Sequence, residues 1–82
     1  MKTIPEMREE IDRIDEEIVK LLIRRMEISK QIGKSKEQVT DKSREMQVIL
    51  NALNTSEEKI DPVFLREIYE LIITESKRLQ LG

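Results

Sequence analysis

Arg25 stands where helical spacing asks for a large aliphatic side chain: positions 4, 11, 18, 25 and 32 read Ile, Ile, Ile, Arg, Ile. A charge on such a face is costly unless it is paired or binds something anionic. Lys36 follows eleven residues later, three helical turns almost in register, with Ser29 and Ile32 between them on the same face. One strip of helix thus presents two cations over about 16 Å. Further along, Tyr69, Ile73, Ser76 and Gln80 share a helical face, so an apolar stripe ends in a hydroxyl and an amide. Asp41, Arg44 and Glu45 form a third group, compact enough for one helical turn.

If these groups converge between helices, the result is a pocket of cations, a neutral amide and one or two carboxylates. It would suit a small polyanion bearing hydroxyls. It would be poorly equipped for acid–base or covalent chemistry near neutral pH, because the chain has no histidine and no cysteine. A reaction in such a pocket would have to proceed by positioning and electrostatic stabilisation alone. Each residue also has a plainer reading. Arg25 can be a polar residue that sets the register of a coiled seam. Lys36 can lie in water at a helix end. Ser76 can mark the fading of an apolar stripe, and Asp41, Arg44 and Glu45 can be ordinary residues of a helix N-terminus.

Composition narrows the classes further. The 82 residues include 15 basic and 17 acidic side chains, for a net charge of -2, which is no footprint for nucleic acid. Phe64 and Tyr69 are the only aromatics, so stacking platforms for bases are scarce. Disulfides are impossible and the common zinc ligands are missing, so neither a metal nor a cofactor is expected. No apolar run approaches the ~20 residues of a membrane span, and no signal-peptide core opens the sequence. A soluble, cytoplasmic chain that binds neither membrane nor nucleic acid is the expectation.

The elements that must position these residues are helices. Two glycines (33 and 82) and two prolines (5 and 62) are the only breakers. Thr3-Ile4-Pro5-Glu6 is a helix start, with Thr3 as cap and Pro5 in the first turn. Ile4, Met7, Ile11, Ile14, Ile18, Leu21, Ile28 and Ile32 then recur at steps of three and four, apart from one gap. The first helix is expected from about 5 to 36. Thr40 or Asp41 can cap a second, over 41–54, with Met46, Ile49, Leu50 and Leu53 on its apolar face. Asp61-Pro62 opens a third, over 62–80. The fold class is all-α, with one long, one short and one medium helix, and residues 1–82 are expected to form a single domain.

A first helix of roughly 48 Å overshoots a compact globule of this size, whose radius of gyration would be near 12 Å. The two shorter helices cannot cover its whole apolar seam, whereas a second copy can. Charge is arranged to match. Residues 1–17 hold seven acids (6, 9, 10, 12, 15, 16, 17) against three bases (2, 8, 13), and residues 18–36 hold six bases (20, 24, 25, 30, 34, 36) against Glu27. Antiparallel pairing would set each acidic half beside the partner's basic half. The same asymmetry also complements the dipole of a single helix.

In ordered sequence, Met7-Arg8-Glu9-Glu10-Ile11-Asp12-Arg13-Ile14-Asp15, Leu21-Leu22-Ile23-Arg24-Arg25-Met26, Ile32-Gly33-Lys34-Ser35-Lys36, Asp41 with Arg44-Glu45, and the run from Leu71 to Gln80 resemble the all-helical chorismate mutases of the AroQ class. The resemblance covers essentially the whole chain. It implies an intertwined homodimeric helical bundle with two equivalent sites that convert chorismate to prephenate by a Claisen-type rearrangement, in phenylalanine and tyrosine biosynthesis. It implies that Arg25 binds one substrate carboxylate, and that Arg8 from the partner subunit binds the other together with Lys36. Lys36 and Gln80 would hydrogen-bond the ether oxygen. Glu45 would hold the ring hydroxyl with Asp41 nearby, Arg44 and Ser76 would lie at the carboxylates, and Ile32 and Ile73 would form apolar walls. An isochorismate-pyruvate lyase of the same fold is the nearest rival; those enzymes tend to lack the carboxylate equivalent to Glu45, so the Arg44-Glu45 pair favours the mutase. A non-catalytic helical dimerisation module is the rival from another class.

Overall fold

The computed structural model describes residues 1–35 and 41–82, and they form three helices in the order α1 (Ile4–Gly33), α2 (Lys42–Ser56) and α3 (Pro62–Leu81). The fold is all-α. Each helix starts on the local signal that the sequence carries. The Thr3 hydroxyl accepts from the Glu6 backbone N–H at 3.3 Å and donates to the Glu6 carboxylate at 3.0 Å, with Pro5 in the first turn. Asp41 caps α2 by accepting from Arg44 N–H at 3.2 Å. Asp61 caps α3 by accepting from Val63 N–H at 2.9 Å, with Pro62 as the first helical residue.

The ends differ from expectation by a few residues. α1 closes at Gly33, where Lys34 N–H donates to Gln31 O at 3.1 Å and Ser35 N–H donates to Ile32 O at 2.9 Å. The expected end at Lys36, and Thr40 as an alternative cap, lie outside the described residues. α2 runs to Ser56, past the expected end near Asn54, because the Ser56 hydroxyl donates to Leu53 O at 2.7 Å and serves the helix rather than breaking it.

The α2–α3 turn is made by two consecutive residues in the left-handed region, Glu57 (φ 51) and Glu58 (φ 62). A side chain there brings Cβ too close to the following carbonyl, a strain that glycine lacks. Glu58→Gly is therefore expected to raise unfolding stability by about 0.5–1 kcal/mol, read as a higher Tm in a circular-dichroism melt. A lower Tm would show that the Glu58 side chain stabilises the turn by more than its backbone strains it.

α3 is the element that packs against both others. The C-terminal part of α1 lies along the C-terminal part of α3, and the rest of α1 projects away, giving the chain a long dimension of 54 Å and a radius of gyration of 15.7 Å. A compact fold of this length would have a radius of about 12 Å. Among the described residues Leu65 is the one buried apolar side chain, while Ile11, Ile14, Ile18 and Leu21 are each about half exposed. The accessible surface of 7209 Å² exceeds the roughly 5,100 Å² expected of a folded monomer of this mass. The excess is of order 2,000 Å², and the apolar seam of α1 is among the exposed surface.

Candidate active site

All three helices contribute to one cleft of about 370 Å³. From α1 come Arg25, Ile28, Ser29 and Ile32, which the three-and-four spacing places on one face. Asp41 and the first two turns of α2 bring Arg44, Glu45 and Val48. The last turns of α3 bring Ile73, Ser76, Lys77 and Gln80. The helix order decides this meeting: α3, packed against both α1 and α2, carries the floor on which their polar residues converge.

Arg25 is half-buried, and its Nη1 donates to the buried Ser76 hydroxyl at 2.5 Å. Among the described residues no carboxylate pairs with it. Ser76 Oγ in turn lies 3.7 Å from Met26 Sδ, and Ser29 Oγ donates to Arg25 O at 3.1 Å. The guanidinium is thus oriented by neutral groups, with its charge left for an anion. Arg44 Nη1 donates to Gln47 Oε1 at 3.3 Å, and among the described residues no carboxylate pairs with it either. Glu45 is different. Lys77 Nζ lies 3.0 Å from its Oε1. The ammonium approaches outside hydrogen-bonding angles, so Oε1, itself buried, has no hydrogen-bond donor among the described residues. A buried acceptor left open inside a cleft fits a ligand that donates.

The lining therefore holds two guanidinium groups with no carboxylate partner among the described residues, an amide at Gln80, a buried carboxylate oxygen and apolar walls. It can bind a small anion with a hydroxyl and surround a reacting centre with fixed dipoles. Among the described residues no group of acidic or imidazole ligands could hold a metal ion.

Comparison with known proteins places the chain in a family. The family model of chorismate mutase type II matches residues 7–81. The chain belongs to the chorismate mutase type II family. It is also similar to the bifunctional chorismate mutase/prephenate dehydratase of Aquifex aeolicus (strain VF5), at 35% identity over 88 residues that cover 98% of this chain and 24% of that protein. The chain thus spans about a quarter of the length of that relative. No solved structure gives a significant match.

Against the expectations for a chorismate mutase type II chain, the cleft brings together Arg25, Ile32, Asp41, Arg44, Glu45, Ile73, Ser76 and Gln80. Lys36 lies outside the described residues. Arg8 is not in the cleft. It is exposed near the start of α1, about 26 Å along the helix from Arg25, so it cannot serve the cleft of its own chain. Lys77 and Val48, which are not among the expected site residues, also line the cleft, as does Ile28 of the apolar seam. Lys77 had a legible signal, since Ile73, Lys77 and Gln80 follow the i, i+4, i+7 spacing of one face. No helix of the described residues is long and apolar enough to cross a membrane.

Proposed function

We propose that the chain forms one chorismate mutase domain that works as a homodimer in the cytoplasm and rearranges chorismate to prephenate. The observation that carries this reading is the convergence of Arg25, Glu45 and Gln80 on one cleft in a chain without imidazole or thiol. The reaction is intramolecular: the ether C–O bond breaks, a C–C bond forms, and no proton is transferred. Catalysis then needs only a bound substrate geometry close to the transition state and donors aimed at the oxygen that gains negative charge.

In this reading Arg25, oriented by Ser76, binds one substrate carboxylate, with Arg44 beside the carboxylates. The other carboxylate is bound by Lys36 and by the partner subunit's Arg8. Lys36 and Gln80 donate to the ether oxygen, and Oε1 of Glu45 accepts from the ring hydroxyl, with Asp41 nearby. Ile32 and Ile73 flank the ring. The assembly is supported by the bare seam of α1: two copies would bury an area in the range of obligate dimer interfaces. If two α1 helices cross antiparallel near residue 20, Arg8 of one falls opposite about residue 33 of the other, beside the cleft.

The test follows the loss of the conjugated-diene absorbance of chorismate with the purified chain and with Lys36→Ala. Acceleration over the spontaneous reaction, strongly reduced in the variant, is expected; no acceleration would sink the enzyme reading. Shared sites have their own expected result. Arg8→Ala and Gln80→Ala variants, each nearly inactive, should recover activity when unfolded and refolded together, because each mixed dimer then holds one intact site. Sedimentation should show a dimer. Failure to recover activity, or a well-folded monomer, would contradict the shared site.

A further inference from the structure

Lys77 is the one described cation within ion-pair distance of a cleft carboxylate, and the buried oxygen that it approaches has no donor in hydrogen-bonding geometry among the described residues. We propose that Lys77 is a positioning residue that holds Glu45 ready for the substrate's ring hydroxyl, an inference that rests on the functional reading above. Glu45 sits in the first turn of α2, where its backbone is set by the bond from its N–H to Asp41 O at 3.0 Å. That bond fixes the backbone and leaves the side chain free to turn. The neighbouring Arg44 engages Gln47, and among the described residues no other cation reaches the Glu45 carboxylate.

Lys77 comes from the other wall, on α3, and reaches across to Oε1 at 3.0 Å. The pair is partly shielded, with side-chain exposures of 37% for Lys77 and 26% for Glu45. It therefore does two things at once: it pins α2 to α3 at the cleft and stops the carboxylate from swinging into water or towards the guanidinium groups meant for the substrate's own carboxylates. The off-line approach of the ammonium leaves the hydrogen-bonding direction at Oε1 unused. A hydroxyl on the ligand can take it. Lys77 thus shapes discrimination for a hydroxyl without touching the reacting bonds.

The experiment compares chorismate with an analogue that lacks the ring hydroxyl, in the full chain. Lys77→Met keeps the aliphatic stem and removes the charge. Its kcat/KM for chorismate is expected to fall about 10- to 100-fold, while its value for the analogue stays within about twofold of the parent's. Lys77→Arg, whose guanidinium can pair with the same carboxylate, should restore most of the loss. Adding Lys77→Met to Glu45→Gln should cost nothing further. An equal fall on both substrates, or no fall on chorismate, would overturn the proposal. A parent chain that fails to accelerate chorismate would overturn the functional reading itself, an outcome distinguished by appearing before any substitution is made.

Discussion

Gln80→Ala is expected to lower kcat for chorismate by about 100- to 1,000-fold, the typical cost of removing a preorganised donor to a developing oxyanion, with a much smaller change in KM. The asymmetry follows from when the hydrogen bond matters. The ether oxygen is a weak acceptor in the ground state and gains charge only as its C–O bond breaks, so the donor favours the transition state over the bound substrate. Gln80 suits this role because it is half-buried at the cleft wall and neutral at all ordinary pH. The chain also lacks histidine, the side chain that ordinarily titrates between pH 5 and 8. In the parent chain kcat should therefore be nearly flat from weakly acidic to weakly basic pH. Steady-state kinetics across that range checks both statements, and a steep loss through neutrality would remove Gln80 from the ether oxygen.

Gly33→Ala should lower kcat by about 100-fold, although an alanine in an exposed helix would normally be favourable by about 0.5–1 kcal/mol. A Cβ at position 33 would meet Gln80 Cα at 2.7 Å and its carbonyl carbon at 2.9 Å, with the carbonyl oxygen nearer still. These are backbone atoms and cannot rotate aside. Ordinary contact between carbons begins near 3.5 Å, so the end of α3 must retreat by roughly 1 Å. Misplacement on that scale is enough to cost about two orders of magnitude in rate. The glycine thus sets the closest approach of α1 to α3 and, through it, the position of the Gln80 amide. Overpacking offsets the helix-propensity gain, so Tm should stay level or fall while secondary structure is kept. A variant with higher Tm and unchanged kcat would show that the helices can part here without moving the amide.

These two residues also show where sequence reading succeeds and where it stops. Gln80 was legible because it ends a stripe that begins with Tyr69 and Ile73, and a polar side chain on an apolar face asks for a reason. Arg25 was legible on the same ground. Gly33 reads in the sequence only as one of the few helix breakers, since nothing nearby in the chain says that residue 80 will lie against it. Lys77 shares a helical face with Ile73 and Gln80, but that spacing does not say which group it meets. What makes it part of the cleft is Glu45, more than thirty residues earlier, delivered by a different helix.

By itself the sequence determined the three helices and their starts, because caps, proline positions and apolar spacing act over three or four residues and are written contiguously. It also determined the chemistry available, by leaving out every imidazole and thiol. Only the tertiary structure decided which side chains meet: Gly33 with Gln80, Arg25 with Ser76, and Lys77 with Glu45. Those distances depend on how α3 seats against two other helices at once, and no local spacing encodes them.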